Sequence, residues 1–501
     1  MAPSESVSSG IAGFDDILGG GWPAGQIYLV LGLPGAGKTT LGLQFLLDGA
    51  AKGERVLYVT LSETLVEIQH VFAAHGWSMD GVEVFELGQA HDALGLGDPP
   101  TMFDPSDVEF RETTRALREQ IDRVAPRRVV FDSLAELALL ARDNLAFRRE
   151  LLMLKQILIE RGTTALLLSD TTTPDADRQL QSLCHGVLNM DDLAPEYGTE
   201  RRRLRLRKLR GRRYRGGYHD FRIDRGGVTV FPRLIAAEHG EPFSKEPLRT
   251  GIAHLDRMLG GGLPRGGSAL LMGPAGSGKS CLVSHFAAAL AKDGQPASVF
   301  LFDEVVDSFV SRAEGLGLDL QAHIDSGLLE VRQVDPAQLS PGEFVHLVRT
   351  AVEERGARMI AIDSLNGYMH AMPEERFLTV QMHELLTYLN QMGVMAVLVL
   401  AQAGMIGNMT TPADLTYIAD SVILTRFFEA GGEVRRAISI LKKRRGPHEM
   451  AIRELRIGVE GLQVGKPLST FRGVLSGVPT FTGEVSTLFE PEDDAGLHAG
   501  A

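Results

Sequence analysis

Gly32-Leu33-Pro34-Gly35-Ala36-Gly37-Lys38-Thr39 is echoed later in the chain by Gly273-Pro274-Ala275-Gly276-Ser277-Gly278-Lys279-Ser280. Both stretches fit G-x-x-x-x-G-K-[ST], a loop built to cradle phosphates. Glycines let the backbone curl until successive N–H groups converge on an anion. The lysine reaches the β- and γ-phosphates, and the hydroxyl of Thr39 or Ser280 offers a ligand to Mg²⁺. A helix starting directly behind the loop adds the positive end of its dipole. A glycine-rich loop alone reads equally well as a strand-to-helix turn, so the flanks decide. Residues 27–31 and 268–272 are apolar runs of strand length, and residues 41–51 and 282–291 have helix-forming composition, with Gly53 and Gly294 behind them as stops. Two sites for ATP or ADP with Mg²⁺ are expected.

The loops belong to a longer duplication. Residues 10–23, Gly-Ile-Ala-Gly-Phe-Asp-Asp-Ile-Leu-Gly-Gly-Gly-Trp-Pro, return as residues 251–264 at an offset of 241, the same offset that separates Lys38 from Lys279. A chain of 501 residues is too long for one core. Two domains are expected, 1–235 and 250–485, joined by the polar segment 233–249 with Pro242 and Pro247.

The formal charge of −13 argues against general adhesion to nucleic acid or acidic membranes. Cys184 and Cys281 stand far apart, which suggests neither a disulfide framework nor a zinc site. Residues 1–10 lack the charged and apolar parts of a signal peptide, and the apolar run 394–401 is far shorter than the roughly 20 residues that span a bilayer. A cytoplasmic protein without membrane attachment is expected.

In each half a further apolar strand follows the loop helix. One ends at Ser62-Glu63, the other at Asp303-Glu304. Carboxylates placed there can orient or deprotonate an attacking nucleophile. The plainer reading is acids favoured near a helix N-terminus; recurrence in both halves favours catalysis. The strands leading to Asp132-Ser133 and Asp363-Ser364 come next, and a strand-terminal Asp beside a phosphate loop holds the Mg²⁺ shell. Further strands at 165–170 and 394–402 complete a β-loop-α-β-α-β-α-β order in each half. That order predicts an α/β fold, a mostly parallel sheet with helices on both faces and ligands at the carboxyl ends of the strands.

Residues 201–215 contain ten basic residues in fifteen, with Arg alternating with Leu as in a half-buried strand. A nucleic-acid patch is one reading. The other is a strand whose cations serve nucleotide phosphates or acidic neighbours, and the recurrence Leu441-Lys442-Lys443-Arg444-Arg445-Gly446 favours it.

Taken together, these motifs resemble the KaiC family of double-domain RecA-like ATPases. Ala451-Ile452-Arg453-Glu454-Leu455 and Leu475-Ser476-Gly477-Val478-Pro479-Thr480 also look like this family. The resemblance implies two tandem RecA-like P-loop NTPase domains and a homohexamer of two stacked rings, with ATP held between subunits. Nucleotide would lie against Gly35, Ala36, Gly37, Lys38, Thr39 and Thr40 in the first domain, and Gly276, Ser277, Gly278, Lys279, Ser280 and Cys281 in the second. Lys208, Leu209 and Arg210, and likewise Lys442 and Arg444, match positions that face a neighbour's phosphates. Thr39 with Asp132, and Ser280 with Asp363, would serve Mg²⁺.

The resemblance further implies slow hydrolysis in the first domain, through Glu63, and Ser/Thr autophosphorylation in the second. There Asp303 and Glu304 match a catalytic pair, with Asp303 the base for the hydroxyl of Thr416. Three departures stand out. Ser62 replaces the first of two glutamates, Asp303 is a methylene shorter than Glu, and Tyr417 replaces a second acceptor. The tail after Thr480 is acidic and lacks a clear helical extension, so a KaiC-like regulator with signalling partners, short of a full clock, is expected. The alternatives are an ATP-assembled signalling scaffold with little kinase activity and a RecA-type DNA-remodelling ATPase. Overall acidity and the lack of a recognisable DNA-binding module count against the last.

Overall fold

The computed structural model describes residues 5–86, 105–141, 143–170, 180–193, 198–370, 378–404, 416–430, 432–474 and 480–481. Asp414 and Leu415, directly before Thr416, residues 475–479 of the C-terminal motif and the tail 482–501 lie outside the described residues. The chain divides into two compact units, 1–233 and 234–501.

The first unit contains β1 (Ile27–Gly32), β2 (Val56–Thr60), β3 (Val82–Glu86), β4 (Arg128–Asp132), β5 (Thr164–Asp170), β6 (Gly186–Leu193), β7 (Arg201–Leu209), β8 (His219–Asp224) and β9 (Gly227–Phe231). They form one sheet in the order β3-β2-β4-β5-β1-β6-β7-β8-β9. The pairings from β3 to β6 are parallel and those from β6 to β9 antiparallel.

The second unit repeats this plan. Its strands are β10 (Ser268–Gly273), β11 (Ala297–Leu301), β12 (Leu329–Gln333), β13 (Met359–Asp363), β14 (Met395–Ala401), β15 (Ser421–Ala430), β16 (Glu433–Lys443), β17 (Arg453–Gly458) and β18 (Gly461–Pro467). The order is β12-β11-β13-β14-β10-β15-β16-β17-β18, strand for strand that of the first unit. These are the two RecA-like α/β domains, with mostly parallel central sheets.

The central strands are apolar throughout because both faces of the sheet are covered. Along β1, Ile27, Leu29 and Leu31 join one core while Tyr28 and Val30 join the other. Along β10, Ala269 and Leu271 separate from Leu270 and Met272 in the same way. The loop helices α1 (Lys38–Ala51) and α2 (Lys279–Lys292) pack on one face of each sheet. Gly42 and Gly49 permit this closeness, since a Cβ there would meet Val130 at 2.9 Å and Arg128 at 2.7 Å. The segment read as a polar linker is partly core. Leu234 and Ala236 are buried in the second unit, because their apolar side chains find a surface beside Leu385 and Leu389.

Candidate functional site

Parallel strands bring the motif-bearing carboxyl ends of β1, β2, β4 and β5 to one edge of the first sheet. Gly37, at φ +91°, forms the left-handed N-cap of α1, a conformation that side-chain-bearing residues rarely adopt. Lys38 follows it, 7% exposed. Its ammonium donates to the Gly32 and Leu33 carbonyls at 3.0 and 2.9 Å and pairs with Asp170 at 2.7 Å. The Thr39 hydroxyl donates to Asp132 Oδ2 at 2.6 Å, and the fully buried Tyr58 donates to the same oxygen at 2.8 Å. Burial first, and then the Asp132 carboxylate, push the Tyr58 phenol far above its ordinary range, so it stays a donor.

Glu63 is held beside this cluster by a local turn. Its N–H donates to the Thr60 hydroxyl at 2.9 Å, and that hydroxyl donates back to the Glu63 carbonyl at 2.8 Å. Its Oε2 is buried with no hydrogen-bond partner among the described residues. Burial, then Asp132 and Glu67, raise its carboxyl above the usual range. A carboxylate in that state can accept a proton or a water hydrogen.

The second site has the same frame with different neighbours. Lys279 donates to the Gly273 and Pro274 carbonyls at 2.9 and 2.7 Å. Where β5 ends in Asp170, β14 ends in Ala401 at the same register against the loop strand. Burial pushes Lys279 down to about 8, against the opposing pull of Asp363. Asp363 is itself pushed up to about 6, mainly by burial, with a Ser280 hydroxyl bond acting the other way. Its Oδ2 is buried without a hydrogen-bond partner among the described residues. Ser277 ties the loop to β15, bonding Pro274 O at 2.8 Å and the Thr425 hydroxyl at 2.7 Å. Arg436 donates to Gly276 O at 3.2 Å.

The carboxylate pair of this second site is engaged. Arg312 grips Glu304 through two bonds of 2.6 and 2.7 Å, and the Ser364 hydroxyl donates to Asp303. Cys281 is buried on α2, and burial raises its thiol. In the first unit, the Thr40 hydroxyl is 3.5 Å from His75 Nε2.

The orphaned Asp363 oxygen and the Thr39–Asp132 contact are a donor set of hydroxyl and carboxylate oxygens that suits Mg²⁺. Thr39 with Asp132, and Ser280 with Asp363, are the residues that would hold it, and the ion would supply charge neutralisation at the phosphates.

The basic residues matched to a neighbour's phosphates lie elsewhere. Leu209 is level with Gly186 and Tyr28, at the start of β1, while the phosphate loop follows Gly32 at its end. Four residues of strand separate the two levels, about 13 Å. Lys208 donates to the carbonyls of Gln181 and Cys184, and Arg210 to that of Ser182; Leu209 packs in the core. Lys442 repeats this with Thr416 and Ala419, both at 2.7 Å, and Arg444 reaches Tyr417 O at 2.5 Å. Within one chain, then, Lys208, Arg210, Lys442 and Arg444 do not join their own phosphate loop; on β16 it is Arg436, six residues before Lys442, that bonds the loop. Several cations of the Arg run face acids or an aromatic ring: Arg202 with Asp192, Arg203 with Asp191, and Arg203 and Arg205 over Tyr218.

Sequence reasoning assigned no role to Tyr58, Asp170, Ser364 or Arg312. A hydroxyl inside the apolar run 56–61 and an acid closing the strand at 170 were the available signals; Arg312 carries none.

A family model described as "ATPase: KaiC" matches residues 7–235 and 248–469. The Circadian clock protein KaiC3 of Synechocystis sp. is 27% identical over 488 residues, 96% of this chain and 95% of its own length. The Circadian clock oscillator protein KaiC of Prochlorococcus marinus is 28% identical over 488 residues, 95% of each chain. Its counterpart from Synechococcus elongatus is 26% identical over 475 residues, 94% of this chain and 91% of its own. No described helix is long and apolar enough to cross a membrane. With two phosphate loops, two strand-terminal aspartates and a family match over both units, the chain belongs to the KaiC family of ATP-binding proteins.

Proposed function

We propose that this protein is a KaiC-like regulator that hydrolyses Mg-ATP in its N-terminal unit and phosphorylates its own Thr416 in its C-terminal unit. The observation that carries the hydrolytic part is Glu63, whose buried and unpartnered oxygen lies by the Lys38–Thr39–Asp132 cluster. In this reading Lys38 binds phosphate, Thr39 and Asp132 hold Mg²⁺, and Glu63 orients the attacking water.

The transfer to Thr416 is proposed to run between subunits of a homohexamer. The turn carrying Thr416 precedes β15, whose Ser421 pairs with Ala269 at the start of β10. The loop of the same chain follows Gly273, at least about 13 Å further along the strand. ATP of a neighbouring subunit is therefore the donor, with Asp303 of that neighbour taking the hydroxyl proton as the bond to the γ-phosphorus forms and ADP leaves. Lys442 and Arg444, which hold the carbonyls of Thr416 and Tyr417, would tie the acceptor turn to the strand facing the neighbour's phosphates.

A second reading is favoured by one observation. Both oxygens of Glu304 are held by Arg312, and Asp303 already accepts from Ser364, as in a scaffold that binds ATP and transfers little phosphate. Intact mass and peptide mapping after incubation with Mg-ATP separate the two. One phosphate at Thr416, lost in Thr416→Ala, supports the kinase; no phosphate on an assembled, ATP-bound hexamer refutes it and leaves the scaffold or the ATPase, which turnover distinguishes.

A further inference from the structure

The two metal-facing aspartates differ in what stands behind them. In the first unit Tyr58 lies in the middle of β2, opposite Val130, two residues before Asp132 on the neighbouring strand β4. In the second unit the equivalent place on β11, opposite Ala361 and two residues before Asp363, is held by Val299. Tyr58 is 0% exposed and packs in the core between the sheet and α1, so its ring cannot swing away. Its hydroxyl meets Asp132 Oδ2 at 2.8 Å, the oxygen that Thr39 also reaches at 2.6 Å. Val299 has no hydroxyl, and Asp363 Oδ2 has no hydrogen-bond partner among the described residues.

We propose that Tyr58 is a positioning residue that holds the Asp132 carboxylate for Mg²⁺, making metal capture at the N-terminal site tighter than its own loop and aspartate alone would achieve. The inference rests on the Mg-ATP reading of that site. Thr39 has to present its oxygen to a cation, so it is a poor fixed anchor for Asp132. Tyr58 donates from the core side, from a ring held by packing. It fixes the plane of the carboxylate before the cation arrives, which lowers the ordering cost of capture. In the C-terminal site, with Val299, no such anchor is present among the described residues, and Asp363 has its hydroxyl bond from Ser280.

The experiment uses the full chain carrying Lys279→Ala, which silences the C-terminal loop, and follows mant-ATP fluorescence during Mg²⁺ titration. Tyr58→Phe keeps the ring and removes only the hydroxyl. It is expected to raise the half-maximal Mg²⁺ concentration about 3- to 10-fold, below the ~10–100-fold seen when the outer partner of a direct metal ligand is lost. Binding in EDTA and the thermal midpoint of the metal-free protein should stay as in the parent. In a Lys38→Ala chain, the same substitution should leave the C-terminal Mg²⁺ titration unmoved. An unchanged Mg²⁺ midpoint overturns the assignment. Equal weakening with and without Mg²⁺, or a lowered thermal midpoint alone, overturns it too, because Tyr58 would then be only a packing residue. Absence of any mant-ATP binding to the Lys279→Ala chain overturns the nucleotide reading of the N-terminal site, and this assignment with it.

Discussion

Replacing Asp170 by Asn should weaken the empty N-terminal unit and tighten its hold on ATP by the same free energy. Asp170 lies 2.7 Å from the ammonium of Lys38, the group that meets the γ-phosphate in the proposed site. Two unit charges at that distance attract by about 6 kcal/mol at an effective dielectric of about 20. The Asp170 side chain is 31% exposed and the Lys38 side chain 8%, so solvent screening on one side and desolvation on the other reduce the net contribution to about 1–2 kcal/mol. When triphosphate takes Lys38, the carboxylate must withdraw or face like charge. The energy that the pair contributes to the empty state is thus subtracted from nucleotide affinity. Asp170→Asn, nearly isosteric, should lower the stability of the empty unit by about 1–2 kcal/mol and raise ATP affinity about 5- to 30-fold. Denaturation followed by tryptophan reads the first quantity, because Trp22 and Trp77 are the only two tryptophans and both lie in the first unit. Mant-ATP titration of the Lys279→Ala chain reads the second. If affinity falls together with stability, Asp170 belongs to the nucleotide-bound site and the displacement argument is wrong.

Two further outcomes follow from buried groups. His219 accepts from the Arg233 N–H at 2.9 Å on Nδ1 and bonds Arg215 O at 3.0 Å through Nε2, so the neutral ring is satisfied; burial pushes it down to about 4. The unfolded chain binds that proton near 6.5, so stability is full above about 6.5 and falls as pH drops towards 4, with about 2 kcal/mol lost by pH 5. The tryptophan-monitored transition of His219→Gln should show a correspondingly shallower loss over that window. Arg128 is 1% exposed, paired with Asp48 at 2.9 Å and Glu54 at 2.5 Å. Arg128→Ala should cost about 3–5 kcal/mol by emptying a buried position and leaving Glu54 and the Phe45 carbonyl without their partner, while Asp48 keeps Lys52. Arg127→Ala, which removes a surface pair with Glu5, should cost less than about 1 kcal/mol in the same denaturation assay.

The duplication, both phosphate loops, the strand-terminal Asp132 and Asp363 and the α/β class were all legible in the sequence. Each is encoded within one short segment, where glycine placement, apolar runs and a strand-ending acid act on neighbouring residues. Family membership could be read for the same reason. The register of two repeats is a property of spacing along the chain.

Tertiary structure decided which side chains share a site. The Tyr58 hydroxyl meets a carboxylate 74 residues away because β2 and β4 are neighbours at a particular register, and nothing in either segment encodes that pairing. Lys38 meets Asp170 because β5 pairs with β1, and in the second unit the same position is Ala401. Lys208 and Lys442 belong to the far end of their sheets because an antiparallel strand returns its basic residues to the amino ends of the parallel ones. Local chemistry named the parts of two similar sites. The strand order is the same in both units, and it turns single-residue changes between the repeats into two different sites, because each change matters only through the partner that the sheet places opposite it.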